Sequence, residues 1–478
     1  MALPPGPRYP GVIALARWMA RPAESMEEDF LEYGDLYTIN NPVYGREVVV
    51  SDPELLKAIF TGDPDVFHGG EPNQTLRPLL GDRSVLVLDG PAHHRERKLL
   101  MPPFHGDRLG AYADVMREAT VRAVDGWPRG ELFSLLPSMQ SITFDVVMRT
   151  VFGARQGPEL ETLRARLLAV VERAQSPLGM LLLVPALQRD LGPLTSWASF
   201  QREMRAADEC IYALIGRARA ARASTSAGAV PTGEARPDVL SLLLAAVDDA
   251  GEGMTDAQLR DELLTLLIAG YETTATALCW AIEEILPRPD VLARILDEVA
   301  QPGGASLYLD ATIKEVLRLR PLVPLLVRKV TAPIALREYR IPAGTVLVPC
   351  VYLAQRHPAY WYAPGEFRPE RFLAGKPHPF AWVPFGGGAR RCIGMAFALY
   401  EMRVVLATLL PRASLRLTDG PAKVTLRSFI FAPSAGTRVV ATAPRAGKGR
   451  WPAVTSPGRH VPLADLEKKV VGADRLGP

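Results

Sequence analysis

A lone cysteine inside a glycine-rich run is where the sequence first suggests chemistry. Residues 385–394 read Phe385, Gly386, Gly387, Gly388, Ala389, Arg390, Arg391, Cys392, Ile393 and Gly394. Glycines so placed permit tight turns and let backbone approach a flat ligand closely. Arg390 and Arg391 precede the sulfur, and an apolar stretch over residues 393–401 reads as a helix beginning just after it. Cations and a helix start both favour thiolate over thiol. The other cysteines, Cys210, Cys279 and Cys350, show no Cys-x-x-Cys spacing, so zinc and iron–sulfur sites fit badly. No lysine followed by a hydroxyl residue closes the run, which argues against a phosphate loop. One thiolate suffices for an axially ligated haem iron. The plain alternative is a glycine turn with a structural cysteine.

Three other groupings have chemical potential. A capping pair, Thr255 and Gln258, opens an apolar pattern running to Leu286, long enough for a helix of roughly 48 Å. Its centre reads Ala269, Gly270, Tyr271, Glu272, Thr273 and Thr274, an acid and a hydroxyl in apolar surroundings. A buried carboxylate is costly unless partnered; the plain alternative is a kink with a structurally bonded threonine. Glu315 and Arg318 share a helical face, as do His93 and Arg97. Either pair reads alone as a solvated charge pair.

In this order, these stretches resemble the cytochrome P450 monooxygenases. The haem-binding signature of that family is Phe, Gly, any, Gly, any, Arg, any, Cys, any, Gly. Phe385, Gly386, Gly388, Arg390, Cys392 and Gly394 fill every fixed position. Residues 269–274 are similar to its oxygen-activation motif, and Glu315 with Arg318 to its Glu-x-x-Arg motif, completed by Arg371. The resemblance spans about residues 4–443.

It implies haem b with Cys392 as the iron ligand. His93, Arg97 and Arg328 would contact the propionates, and Phe385, Arg390 and Gly394 would belong to the haem-binding loop. Glu272 would relay protons and Thr273 would stabilise bound dioxygen and order water. Glu315, Arg318 and Arg371 would form a buried structural network. The substrate cavity would be lined by Leu79, Leu80, Val85, Ala269, Leu322, Leu325, Leu326, Phe429 and Ile430. The implied reaction is hydroxylation or epoxidation of an apolar molecule: a fatty acid, terpenoid, steroid or polyketide. Electrons would come from NAD(P)H through a ferredoxin and its reductase, because no flavin or iron–sulfur module follows. Rival readings are a haem-thiolate peroxygenase or isomerase, and a non-catalytic haem or lipid sensor.

The elements that must position these residues can be read from the whole chain. It has 478 residues, 48% hydrophobic and 22% charged, with a net charge of +3. A substantial core is possible, and no basic stripe suggests nucleic acid. Four cysteines do not make a disulfide framework. No signal peptide and no apolar run of eighteen residues is evident, so the expectation is a cytoplasmic enzyme of the bacterial type without a transmembrane anchor. The expected fold is mainly α with small β-sheets, the triangular haem domain of the resembled family. It would occupy residues 25–443, after a proline-marked segment over 1–24 and before an extension over 444–478. A hairpin over 36–39 and 47–50 is expected, with helices near 111–127, 138–152, 159–175, 197–222, 238–246 and 308–319. Residues 67–88 read as loop, 427–432 as a strand and 223–236 as an exposed loop; 180–187 is an apolar run that could be core, and the resemblance implies a place for it in the roof over the haem. His357 lacks a second ligand at metal-binding spacing.

Overall fold

The capping pair sets where the longest buried helix starts. Thr255 Oγ1 accepts the Gln258 N–H at 3.3 Å, and Gln258 Oε1 accepts the Thr255 N–H at 2.9 Å. The helix Asp256–Ile285 has 30 residues, about 45 Å at the α-helical rise. In the computed structural model the described residues are 3–42, 44–104, 106–153, 158–175, 195–224, 238–301 and 306–442. The stretches 180–187, 225–236 and 444–478 lie outside them.

Helices Leu136–Thr150, Ser196–Ser224, Leu307–Leu319 and Met395–Arg412 pack around this central helix. Its composition would suit a membrane span, and it is the one such helix among the described residues, but 72% of its apolar window is buried inside the protein. The main core runs along it, from Leu259 and Leu263 to Trp280 and Ile285. Trp280 is fully buried, and its indole N–H donates to Phe431 O at 3.0 Å. Burying so large a ring with its polar edge satisfied fixes the helix against the strand that carries Phe431.

The expected mainly helical fold with small sheets is what forms. Leu36–Asn41 and Gly45–Val50 make the anticipated hairpin, with Leu36 opposite Val50. Gly45–Val50 then pairs in parallel with Val346–Pro349, which pairs antiparallel with Arg328–Val330, and that strand pairs with Phe67–His68. A three-stranded sheet joins Leu132–Ser134, Arg438–Thr442 and Ser414–Leu417. The first residues are tied to the larger sheet: Thr38 donates through Oγ1 to Pro4 O at 2.7 Å and through its N–H to Pro5 O.

Two segments differ from the sequence reading. Residues 67–88 are not mainly loop: they hold a short strand, a 3-10 turn over Glu71–Leu76 and a helical turn over Arg77–Leu80. Prolines at Pro72 and Pro78 start these turns rather than break them. Residues 427–432 are not one strand but the end of a hairpin, Val424–Arg427 against Ile430–Pro433. Ser428 adopts the left-handed conformation, φ 56°, and reverses the chain.

Candidate active site

Cys392 lies between the short turn Gly388–Arg390 and helix Met395–Arg412. Its N–H donates to Phe385 O at 2.9 Å, which closes the loop. The loop sits on the end of helix Pro53–Thr61. Gly388 has φ 64°, and a β-carbon there would overlap the Phe60 carbonyl. Conformation and space both require glycine.

Cys392 is exposed as a residue, although protein packs densely around its thiol. Burial pushes this thiol up; the Gly394 N–H, Arg97 and Arg391 act in the opposite direction. Arg390 is not among the cations that do so. Its guanidinium turns to Asp89, at 2.5 Å, and to Leu88 O. Asp89 also accepts the backbone N–H groups of Gly69, Gly70 and Glu71.

Four cationic or basic side chains meet beside the cysteine loop. His93 on helix Gly90–Leu100 is buried and faces Arg390, Arg97 and Arg328; the neighbouring His94 is exposed. His93 is pushed down to about 3, first by burial and then by Arg390 and Arg97. Arg328 is pushed down to about 10 by burial and Arg390. Arg97 and Arg390 are lowered by burial as well. Among the described residues, Asp89 on Arg390 is the one carboxylate in ion-pair range of this group. A buried surplus of positive charge is costly until anions join it. Two carboxylates of a ligand would supply them, and haem carries two propionates. An accessible thiol, a glycine loop and a surplus of buried cations together fit that cofactor.

The central helix is buried along most of its length, but Ala269 is exposed and Thr273 partly so. They are four residues apart and share a face. The Thr273 hydroxyl donates to Ala269 O at 2.7 Å, the structural bond that is common for a helical threonine. Its lone pairs stay open to another donor. Glu272 is buried, with one carboxylate oxygen on Gln140 Nε2 at 2.7 Å and the other 2.8 Å from Arg427 Nε. Neither partner was legible in the sequence, since they stand 132 and 155 residues away.

The expected network forms. Arg318 and Glu315 have no exposed side-chain surface and make two hydrogen bonds, at 2.7 and 2.8 Å. Arg371 Nε lies 3.3 Å from Glu315, and the Arg368 N–H donates to the same oxygen at 2.7 Å. Arg318 also donates to Gln355 O, Pro364 O and Glu366 O. Gln355 was missed. Its side chain donates to Leu317 O and Arg318 O and accepts the Val383 N–H, reaching the approach to the cysteine loop.

The residues read as cavity lining are divided. Leu79, Leu80 and Val85 are buried in the main core, held there by the central helix: Asp261 accepts the Arg83 N–H, Glu262 accepts the Val85 N–H, and Thr265 donates to Ser84. Leu322, Leu325 and Leu326 are partly buried, Ile430 is buried, and Phe429 is 51% exposed at its hairpin turn. A cavity of about 660 Å³ lies elsewhere, between Pro78, Trp197, Phe200 and Met204 and the ion pair Asp208–Arg260. Neither Cys392 nor Thr273 lines it. His357 does meet possible ligands, Asp35 and Asp52. Arg337 already donates to both carboxylates, and His357 bonds Asp35 at 2.8 Å, so the group is a satisfied ion-pair cluster.

Comparison with known proteins agrees with this geometry. The family model described as Cytochrome P450 matches residues 4–436. The Mycobacterium tuberculosis protein assigned as cytochrome P450 135B1 is 37% identical over 454 residues, covering 93% of this chain and 92% of its own length. The one assigned as cytochrome P450 138 is 39% identical over 442 residues, covering 92% and 96%. Among solved structures, the heme domain of cytochrome P450DA superposes with a TM-score of 0.76 at 22% identity, covering 93% of this chain and 97% of that one. Cyanobacterial CYP120A1 with retinoic acid bound gives 0.74 at 23%, covering 92% and 99%.

Two outcomes follow from the buried charges. Glu315→Ala leaves Arg318 buried without its counter-charge and should cost about 3–5 kcal/mol, read as a lower denaturant midpoint. His93 stays neutral when folded down to about 3, against an ordinary value of 6.5. The unfolded chain therefore binds the extra proton in that window, and stability is full above 6.5 and falls as pH drops toward 3. His93→Gln should flatten that decline in the haem-free protein, measured by thermal unfolding across the window.

Proposed function

The chain belongs to the cytochrome P450 family, and on that premise we propose that it is a haem-thiolate monooxygenase acting on an apolar small molecule. The observation that carries the reading is the surplus of buried and half-buried cations, Arg97, Arg328 and Arg390, gathered with neutral His93 beside the exposed Cys392. Haem b bound there supplies the redox chemistry that divides dioxygen between substrate and water, with two electrons and two protons from outside the substrate.

The chain's own residues hold and supply that chemistry. Cys392 would bind the haem iron, and the Gly394 N–H with Arg97 and Arg391 would steady its thiolate. His93, Arg97 and Arg328 would hold the propionates, and Phe385, Arg390 and Gly394 would shape the loop that receives the haem. Glu272 takes a proton and passes it toward the Thr273 hydroxyl, whose bond to Ala269 O fixes its direction. Glu315, Arg318 and Arg371 keep the cysteine loop in register without touching the reaction.

The substrate is a fatty acid, terpenoid, steroid or polyketide, hydroxylated or epoxidised. The apolar character of Leu322, Leu325, Leu326, Phe429 and Ala269 supports that class. Electrons arrive from a ferredoxin and its NAD(P)H-dependent reductase. Arg391, exposed beside the cysteine loop, favours an acidic partner surface.

Cys392→Ser should abolish the thiolate-type spectrum of the reduced carbon monoxide complex; its retention would remove Cys392 as ligand. Thr273→Ala should keep haem but divert electrons to hydrogen peroxide, with product per NAD(P)H falling by about tenfold or more. Unchanged coupling would contradict the role of its hydroxyl.

A further inference from the structure

Glu272 is gripped from two sides. Gln140, on helix Leu136–Thr150, donates to one oxygen at 2.7 Å, and the same helix is tied to the site by Thr143 donating to Tyr271 O at 2.9 Å. From the other side comes Arg427, the last residue of strand Val424–Arg427, with Nε 2.8 Å from the second oxygen. The two atoms are close and buried but not aligned for a hydrogen bond, so the attraction is between charges. Gln140 is neutral. Among the described residues, Arg427 is the one cation in ion-pair range of this carboxylate, which is 8% exposed. A carboxylate so placed needs a counter-charge to stay in position.

The hairpin that carries Arg427 is itself fixed to the central helix and the cavity wall. The Phe431 N–H donates to Leu322 O at 2.7 Å, and Trp280 donates to Phe431 O at 3.0 Å. Arg427 pairs with Ile430 across the turn. Within that turn Ser428 has φ 56° and a buried hydroxyl without a partner, and Phe429 projects with half its surface exposed. Arg427 thus stands one residue from a strained turn and two from the aromatic tip.

We propose that Arg427 is a positioning residue for Glu272, setting where the carboxylate lies when it hands a proton toward Thr273. The inference rests on the proton-relay reading of Glu272. It adds that the relay is held from the hairpin 424–433, so anything that presses on Phe429 bears on proton delivery. With Arg427 removed, the carboxylate loses its counter-charge, leaves its seat against Gln140, and supplies protons more slowly. Electrons then leave with dioxygen as superoxide, and two superoxide anions take two protons from solvent to give one hydrogen peroxide and one dioxygen.

The test uses the haem-loaded protein with a plant-type ferredoxin, its reductase and NADPH, without added substrate. The variants are Arg427→Gln, Arg427→Lys, Glu272→Gln and the double variant Arg427→Gln/Glu272→Gln. One readout is peroxide released per NADPH, together with the solvent deuterium isotope effect on dioxygen uptake. The other is the thermal unfolding midpoint, which does not depend on turnover. Arg427→Gln should raise the peroxide yield at least about threefold, a small part of the roughly 10²–10⁴-fold that a positioned acid contributes. It should also change the isotope effect, and Arg427→Lys should restore both. In the Glu272→Gln background Arg427→Gln should add nothing, and the two substitutions should be non-additive in midpoint. If Glu272→Gln alters peroxide yield and Arg427→Gln does not, the positioning role is overturned and the proton-relay reading stands. If Glu272→Gln itself changes nothing, both fall, even where the midpoints still couple.

Discussion

Arg318 has no exposed side-chain surface, and a guanidinium there must place its donors inside the protein. Its Nε and Nη2 donate to Glu315, Nη1 donates to the backbone carbonyls of Gln355 and Pro364, and Nη2 donates as well to that of Glu366. Those carbonyls belong to a segment with little regular structure. The segment takes its path because the guanidinium needs acceptors in those directions. Gln355, held by the same helix end, then accepts the Val383 N–H, two residues before Phe385. Phe385 O receives the Cys392 N–H. A chain of satisfied polar contacts therefore runs from a buried ion pair to the loop of the sulfur. A break at Glu315 would be felt at Cys392 although the two never touch.

The site is electrostatically lopsided. On the cysteine side, Arg97, Arg328 and Arg390 accumulate charge that Asp89 only partly offsets, and His93 among them is held neutral. On the central-helix side, Glu272 is closely compensated by Arg427 and Gln140. The first arrangement is poised to accept an anionic ligand, since binding relieves repulsion already present. The second is poised to hold a carboxylate still. Burial first, and then the neighbouring Arg390, accounts for the directions of shift at His93 and Arg328 without special chemistry at either.

What the sequence made legible is what is local. The cap at Thr255, the helix it starts, the hairpin at 36–50, and the spacing of Glu315 to Arg318 each lie within a few residues, and each formed. The glycines of the cysteine loop were legible for the same reason. Long-range partners were not. Gln140, Arg427, Asp89, Asp261, Glu262 and Gln355 look like ordinary polar residues until folding brings them to partners far along the chain. His357 was set aside because no ligand stood at helical spacing, yet Asp35 and Asp52 reach it from the other end of the sequence. Leucines and valines gave too coarse a signal for the cavity: Leu79, Leu80 and Val85 are equally suited to a wall or to the core they enter. The turn at Ser428 was missed because serine does not advertise a left-handed backbone as glycine does.

The parallel pairing of Gly45–Val50 with Val346–Pro349 has a consequence in time. These strands are separated by almost 300 residues, and the sheet that unites them also takes in Arg328–Val330, which bears one of the clustered cations. Closing so long a loop costs chain entropy that no local contact repays. During synthesis the hairpin at 36–50 emerges early and waits with an unpaired edge until residue 349 leaves the ribosome. Cys392 follows soon after. Sheet closure and delivery of the thiol thus fall at nearly the same moment, so a ligand that needs Arg328 and Cys392 together can be captured only after residue 392 has emerged. Until then the edge of the early hairpin is unpaired, the kind of strand edge that invites aggregation.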